Sequence, residues 1–160
     1  MTEASYDDHL TELAAQEERL VFTRFDNDVA WRLGVHLVEA ARSANLPVAI
    51  SIRRNSQRLF HAGLPGSTPD NDAWLERKSA VAERYRHSSY LVGTTFQAKG
   101  TTFEEDSRLD PNLFAAHGGA FPINVRGVGF IGTVAVSGLP QAEDHAFLVT
   151  HLESFLQMND

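Results

Sequence analysis

Seven histidines are spread along the chain, at positions 9, 36, 61, 87, 117, 145 and 151. Imidazole titrates near neutrality and ligates metals, so each is a candidate proton carrier or ligand. No two of them stand as H-x-H or H-x-x-x-H, and H-E-x-x-H does not occur. A metal site would have to be assembled at long range from His61, His117 and His145, and each alone reads more simply as a hydrogen-bonded loop or surface residue. No metal is therefore assigned. His117 stands out because Gly118-Gly119 follows it. Two glycines let the backbone come close to a ligand, which a histidine there could ligate or protonate.

Lys78 is the oddest local choice. Trp74 and Leu75 lie one helical turn before it and Val81 and Ala82 one turn after, so it falls on or beside an apolar stripe. Two readings stay open. Its stem covers apolar surface while the amine reaches water, or it sits at a pocket mouth and pairs with a carboxylate of a ligand or of the chain. Arg53-Arg54 reads as a hairpin with exposed arginines. Asp70-Asn71-Asp72 suits a helix start, and Glu143-Asp144 suits the dipole of a helix's first turn. The ligand-binding candidates are Arg53, Asn55, His61, Asp70, Trp74, Lys78, His117, Gly118 and Gly119; no catalytic residue is assigned.

Two motifs fail on context. Residues 127–132 match G-x-G-x-x-G, but the glycines lead into an apolar strand instead of opening a helix, as dinucleotide binding requires. Ser137 sits at a strand end, but Ala135 and Leu139 occupy the glycine positions of a nucleophile elbow. A turn or cap role for Ser137 is the simpler reading.

Composition narrows the classes. The chain has 160 residues and a net charge of −7, so nucleic acid and anionic membranes are poor partners. It has no cysteine, which removes disulfides, thiol nucleophiles and iron–sulfur clusters and fits a cytoplasmic location. Residues 1–18 are polar and acidic, unlike a signal peptide, and no apolar run reaches the ~20 residues of a membrane span.

The elements that must position these groups follow from periodicity. A single domain over 1–160 is expected, with 1–18 as a helical extension and a helix starting near Thr11. Residues 19–25 offer a strand. Asp26-Asn27-Asp28 opens a helix whose stripe is Ala30, Leu33, Gly34, Leu37, Ala41 and Ala44, and Asn45-Leu46-Pro47 stops it. Val48, Ile50 and Ile52 alternate as a strand with one apolar face, and residues 58–62 return from a turn. Thr68-Pro69 opens a helix running to about Arg86. Residues 88–99 read as strand or helix; Ser88 as a cap and Gly100 as a stop favour helix. Thr101 with Glu104, and Thr102 with Glu105, suggest a short capped turn, and Asp110-Pro111 starts another ending at Gly118-Gly119. Strands at 121–125 and 128–136 and a final helix at 141–157 complete an α+β fold whose sheet is mostly antiparallel.

Several segments together carry a family resemblance. Gly118-Gly119-Ala120-Phe121-Pro122-Ile123, then Gly127, Gly132, Val136-Ser137-Gly138 and Glu143-Asp144, resemble the C-terminal half of the haem-degrading-like (HbpS/GlcG-like) family. Lys78 falls where that family's helix carries a lysine, although Ser79 intervenes before the alanine. Ile52-Arg53-Arg54-Asn55, Arg58-Leu59-Phe60-His61, Asp70 to Trp74, His87 to Tyr90, Ala116 to Pro122 and Gly138-Leu139-Pro140 look like a conserved-hypothetical, UPF0303-like subfamily. The resemblance runs from about Glu12 to Leu156. It implies a profilin-like or sensor-like fold, with an antiparallel sheet of about five strands flanked by helices, and a homo-oligomer. It also brings in haem as one candidate ligand, which a histidine could ligate here, cysteine being missing.

Three functions compete. The first is an oligomeric small-molecule-binding module, with Arg53, His61, Lys78 and His117 drawing an anion such as haem propionates or an organic acid. The second is an oligomeric adaptor for protein partners. The third is an enzyme with His117 or His61 as acid–base and Lys78 or Arg53 holding an anion.

Overall fold

The architecture is taken from a computed structural model, which describes residues 1–159 and the side chains of 1–158. Helix α1 (Glu3–Arg19) is capped by Thr2, whose hydroxyl accepts the Ser5 N–H at 3.2 Å. It begins well before Thr11. Helix α2 (Asn27–Ser43) starts where Asp26 Oδ1 accepts the Val29 N–H at 2.8 Å. Strands β1 (Ala49–Arg54) and β2 (Gln57–Gly63) form a hairpin. Asn55 turns it with φ of 53°, a left-handed conformation that asparagine tolerates better than most residues. Helices α3 (Pro69–Tyr85), α4 (Ser89–Ala98) and α5 (Phe103–Ser107) follow, then strands β3 (Ala120–Val125) and β4 (Gly129–Ser137) and helix α6 (Gln141–Asn159).

The sheet has four strands in the order β2-β1-β4-β3, all antiparallel. The expected fifth strand at 19–25 reduces to one residue. Phe22 alone bridges the edge of β3: its N–H donates to Asn124 O and its carbonyl accepts from Arg126 N, both at 2.8 Å. Leu20 closes α1 and Asp26 opens α2, and of the residues between them Phe22 makes the bridge to β3 before the chain turns into α2. Residues 88–99 resolve as helix, because Ser88 Oγ accepts the Leu91 N–H at 3.1 Å. The expected turn of helix from Asp110 is only a hydrogen-bonded turn at 111–113, and the chain then leaves it for α3, where Ala115 N donates to Arg77 O at 3.1 Å.

Both faces of the sheet are covered. Ile50, Ile52, Phe121, Ile123, Val134 and Val136 pack against α2 and α6 in the main core. The expectation of one apolar face on β1 is too narrow. The other face, with Ala49, Ala120 and Ala135, takes Leu75 and Ala82 of α3. Small residues there let a helix lie close to the sheet, and that closeness brings the middle of α3 against the end of β4. Gly132 serves the same purpose within the sheet, where a Cβ would strike the Arg53 carbonyl. Gly127 and Gly129, with φ of 78° and 100° and open space around them, turn the β3–β4 hairpin, so the G-x-G-x-x-G match is a hairpin turn followed by one packing glycine. Helix α1 docks on α4: Glu17 accepts from Ser88 N at 3.1 Å and bonds His87 Nδ1 at 2.8 Å.

Candidate functional site

A cavity of about 330 Å³ opens between the first half of α3, the His117-Gly118 segment, the end of β4 and the start of α6. Its floor is an ion pair. Lys78 is buried, and its Nζ donates to Gly118 O at 3.0 Å, Val136 O at 2.8 Å and Asp144 Oδ2 at 3.1 Å. An ammonium has three protons, so this lysine is fully used. It does not snorkel. Of the two carboxylate partners left open for it, the chain supplies its own. The other oxygen of Asp144 accepts the Leu139 N–H at 3.1 Å. Burial lowers the Lys78 pKa against the pull of Asp144, and burial raises that of Asp144 against the pull of Lys78. The pair thus fastens α3, the 118 segment, β4 and α6 at one point.

The two glycines after His117 serve this fastening. Gly119 has φ of 130°, and a Cβ there would collide with the Lys78 amine and the Val136 carbonyl. A Cβ on Gly118 would strike the Gln141 carbonyl. The groups that come close to both glycines belong to the protein itself. Gly118 N donates to Gln141 Oε1 at 3.0 Å, which closes the loop onto α6.

Above the floor stand Trp74 and His117, ring centroids 5.3 Å apart and edge to face. The His117 ring has no hydrogen-bond partner among the described residues and is half-buried. Burial lowers its pKa, helped by Lys78 and Arg77 and opposed by Glu104, so it is neutral at pH 7 and can both donate and accept. Asp70 is exposed at the rim. Asn71 Nδ2 donates to Ser137 Oγ across the cavity at 3.4 Å. The Arg77 guanidinium stacks over the Trp74 ring at 4.1 Å, with no carboxylate partner among the described residues.

Five of the nine candidates, Asp70, Trp74, Lys78, His117 and Gly118, line this cavity, and Gly119 lies just beneath it. Arg53, Asn55 and His61 lie elsewhere. Arg53 is not a free hairpin cation: it pairs with Glu76, which also holds Arg58 at 3.1 Å. Asn55 N donates to Ile131 O in the turn. His61 bonds Asp72 at 2.7 Å. His145 is buried against Gln16, so His61, His117 and His145 do not converge. Arg77, Asn71, Gln141 and Asp144 were not marked as ligand-site residues by sequence; only the regular spacing of Arg77 one turn after Ala73 and Trp74 hints at the stacked cation.

Haem can be tested against this donor set. His117 could face an iron. However, the apolar walls reduce to Trp74 and Leu139, too little to sandwich a porphyrin, and Asp70 sets an exposed carboxylate at the rim. The one lysine is already spent. The cavity does not fit haem.

The UPF0303 protein of Streptomyces avermitilis is 63% identical over 156 residues, covering 98% of this chain and 96% of its own. The solved structure of Ybr137w protein is 34% identical and superposes with a TM-score of 0.87 over 94% of this chain and 90% of that one. A PduOC:haem complex shares the fold at a TM-score of 0.68, with 17% identity over 81% of this chain and 94% of that one. The model of the HbpS-like haem-degrading proteins matches residues 25–153, and the chain belongs to that family.

Proposed function

We propose that the chain binds a small organic acid in the Trp74–His117 cavity. The observation that carries this reading is the His117 ring, unpartnered beside the Trp74 face at 5.3 Å, on a floor made rigid by Lys78. Buried and fully bonded groups build a frame; a polar ring left unbonded in a cavity is free to meet a ligand. Lys78 is neutralised by Asp144, so the cation for an anionic group would be Arg77, which stacks on Trp74 beside the cavity and has no carboxylate partner among the described residues. The ligand's flat part would lie against Trp74, and His117 would hydrogen-bond its edge. A volume of about 330 Å³ suits a compact acid, at the lower end of the roughly 300–1,000 Å³ of ligand pockets. An enzymatic reading with His117 or His61 as acid–base has less support, since Lys78 and Arg53, which would hold the anion, are paired with Asp144 and Glu76, and His61 is bonded to Asp72.

The test is a thermal-shift panel of mono- and dicarboxylic acids, followed by calorimetry on the acid that stabilises most. His117→Ala and Arg77→Met should each weaken binding about tenfold or more, near 1.4 kcal/mol, with the melting temperature of the free protein little changed. Binding of every acid at wild-type strength by both variants, or no stabilising acid at all, would sink the proposal.

A further inference from the structure

The charges around the Trp74–His117 cavity do not suit a plain anion. Three charged side chains line it: Asp70, Lys78 and Asp144. Lys78 and Asp144 are buried and neutralise each other at 3.1 Å. That leaves Asp70, an exposed carboxylate with no hydrogen bond or ion pair among the described residues. The helix dipole favours an acid in the first turn of α3, and Asp72 shares that place. Asp72, however, is bonded to His61 at 2.7 Å outside the cavity, whereas Asp70 lines it. The opposite sign comes from Arg77, stacked on Trp74 at 4.1 Å with no carboxylate partner among the described residues. A ligand that is only anionic gains from Arg77 and is repelled by Asp70, two effects of similar size in a solvated site. A ligand that carries both signs gains from both.

The helix sets how far apart those signs lie. Asp70, Trp74 and Arg77 stand at i, i+4 and i+7, along one face of α3. Seven residues rise ~10.5 Å along a helix. Long side chains lean toward the helix N-terminus, and Arg77 does so: its Nε donates to Ala73 O at 3.3 Å and its guanidinium lies over Trp74. The positive charge is thus set back by a turn, which leaves about one turn, ~5 Å, between it and the level of Asp70. An ammonium and a carboxylate on the same carbon, each making its own hydrogen bond of about 2.8 Å, span that gap. The His117 ring, unbonded and 5.3 Å from Trp74, completes a place for a planar group.

We infer that the ligand of this cavity is an aromatic α-amino acid bound as its zwitterion, with its ammonium on Asp70, its carboxylate on Arg77 and its ring against Trp74 and His117. The inference rests on the organic-acid reading above and narrows it: Asp70 favours amino acids over the plain carboxylates that Arg77 alone would admit.

The experiment is calorimetry with L-phenylalanine, L-tyrosine, L-tryptophan and L-histidine, each beside the acid that lacks the amino group: phenylpropionate, hydroxyphenylpropionate, indolepropionate and imidazolylpropionate. The proteins are wild type, Asp70→Asn and, as a control for loss of a first-turn charge outside the cavity, Asp72→Asn. Melting curves verify that each is folded; Asp70 is exposed, so its replacement should leave the frame intact. At least one amino acid should bind the wild type about fivefold or more tighter than its deamino acid, the size of a good exposed ion pair. Asp70→Asn should bring that ratio close to one by weakening the amino acid alone, and Asp72→Asn should keep it. Deamino acids that bind the wild type as tightly as their amino acids would overturn the inference and leave the organic-acid reading standing. So would a preference that survives Asp70→Asn, or binding of a simple mono- or dicarboxylic acid when none of the four amino acids binds. If no acid of any kind binds, the organic-acid reading falls and this inference falls with it.

Discussion

Lys78→Met is the perturbation the structure makes most quantitative. The side chains are similar in length, so packing is roughly kept while the charge and three donors are lost. What remains is Asp144, 2% exposed, still accepting from Leu139 N, with two carbonyls stripped of a partner. Removing one member of a buried ion pair costs about 3–5 kcal/mol. That is a large share of a domain's total of roughly 5–15 kcal/mol. At about 2–4 °C per kcal/mol for a chain of this length, the melting temperature should fall by roughly 6–20 °C. Urea unfolding followed by circular dichroism should show a lower midpoint with an unchanged slope. Adding Asp144→Leu removes the stranded carboxylate, so the double variant should recover much of the loss, with a coupling of roughly 2 kcal/mol or more between the two sites. A Lys78→Met cost below about 1 kcal/mol, or strict additivity with Asp144→Leu, would refute the view that this pair fastens the four elements.

Two further predictions concern the same frame. His145 is buried and neutral, its pKa pushed down from 6.5 to about 4 by burial and by nearby His9. Its folded pKa lies below its unfolded one, so the stability it contributes is full above pH 6.5 and lost as pH falls toward and through about 4. The stability difference between wild type and His145→Gln should therefore change by roughly 3 kcal/mol between pH 7 and pH 4 in urea titrations, and a difference that stays constant with pH would contradict this. Gly119→Ala places a methyl on the Lys78 amine at a left-handed φ, whereas Gly100→Ala, also at positive φ, meets nothing within 4 Å. The first should cost at least ~2 kcal/mol more than the second; equal melting temperatures would show that Gly119 is not needed for the lysine's seat.

Local elements were readable in the sequence because their signals are local. The stripe of α2, the alternation of β1 and the Ser88 cap of α4 each rest on residues a few positions apart. The strand expected at 19–25 failed because edge pairing depends on where β3 lies, a hundred residues away, and because the chain turns into α2 soon after Phe22 makes its bridge. The site divided in the same way. Trp74, Lys78 and His117 stood out by residue type, and they do meet. The partner of Lys78 could not be read, because Asp144 lies 66 residues further on and looked like an ordinary helix-dipole acid. Without that pairing Lys78 looked free to hold an anion, and the part of Arg77, which stacks on the site's own tryptophan, went unnoticed. His61 and Arg53 had the right chemistry but are committed to Asp72 and Glu76.

Native mass spectrometry of freshly purified wild-type and His117→Ala protein, with the released small molecules identified, tests the central claim most directly. The account predicts a stoichiometric organic acid on the wild type that is missing from, or much reduced in, the variant while both keep the same subunit count. The same molecule retained equally by both proteins, or haem as the stoichiometric ligand, would contradict it.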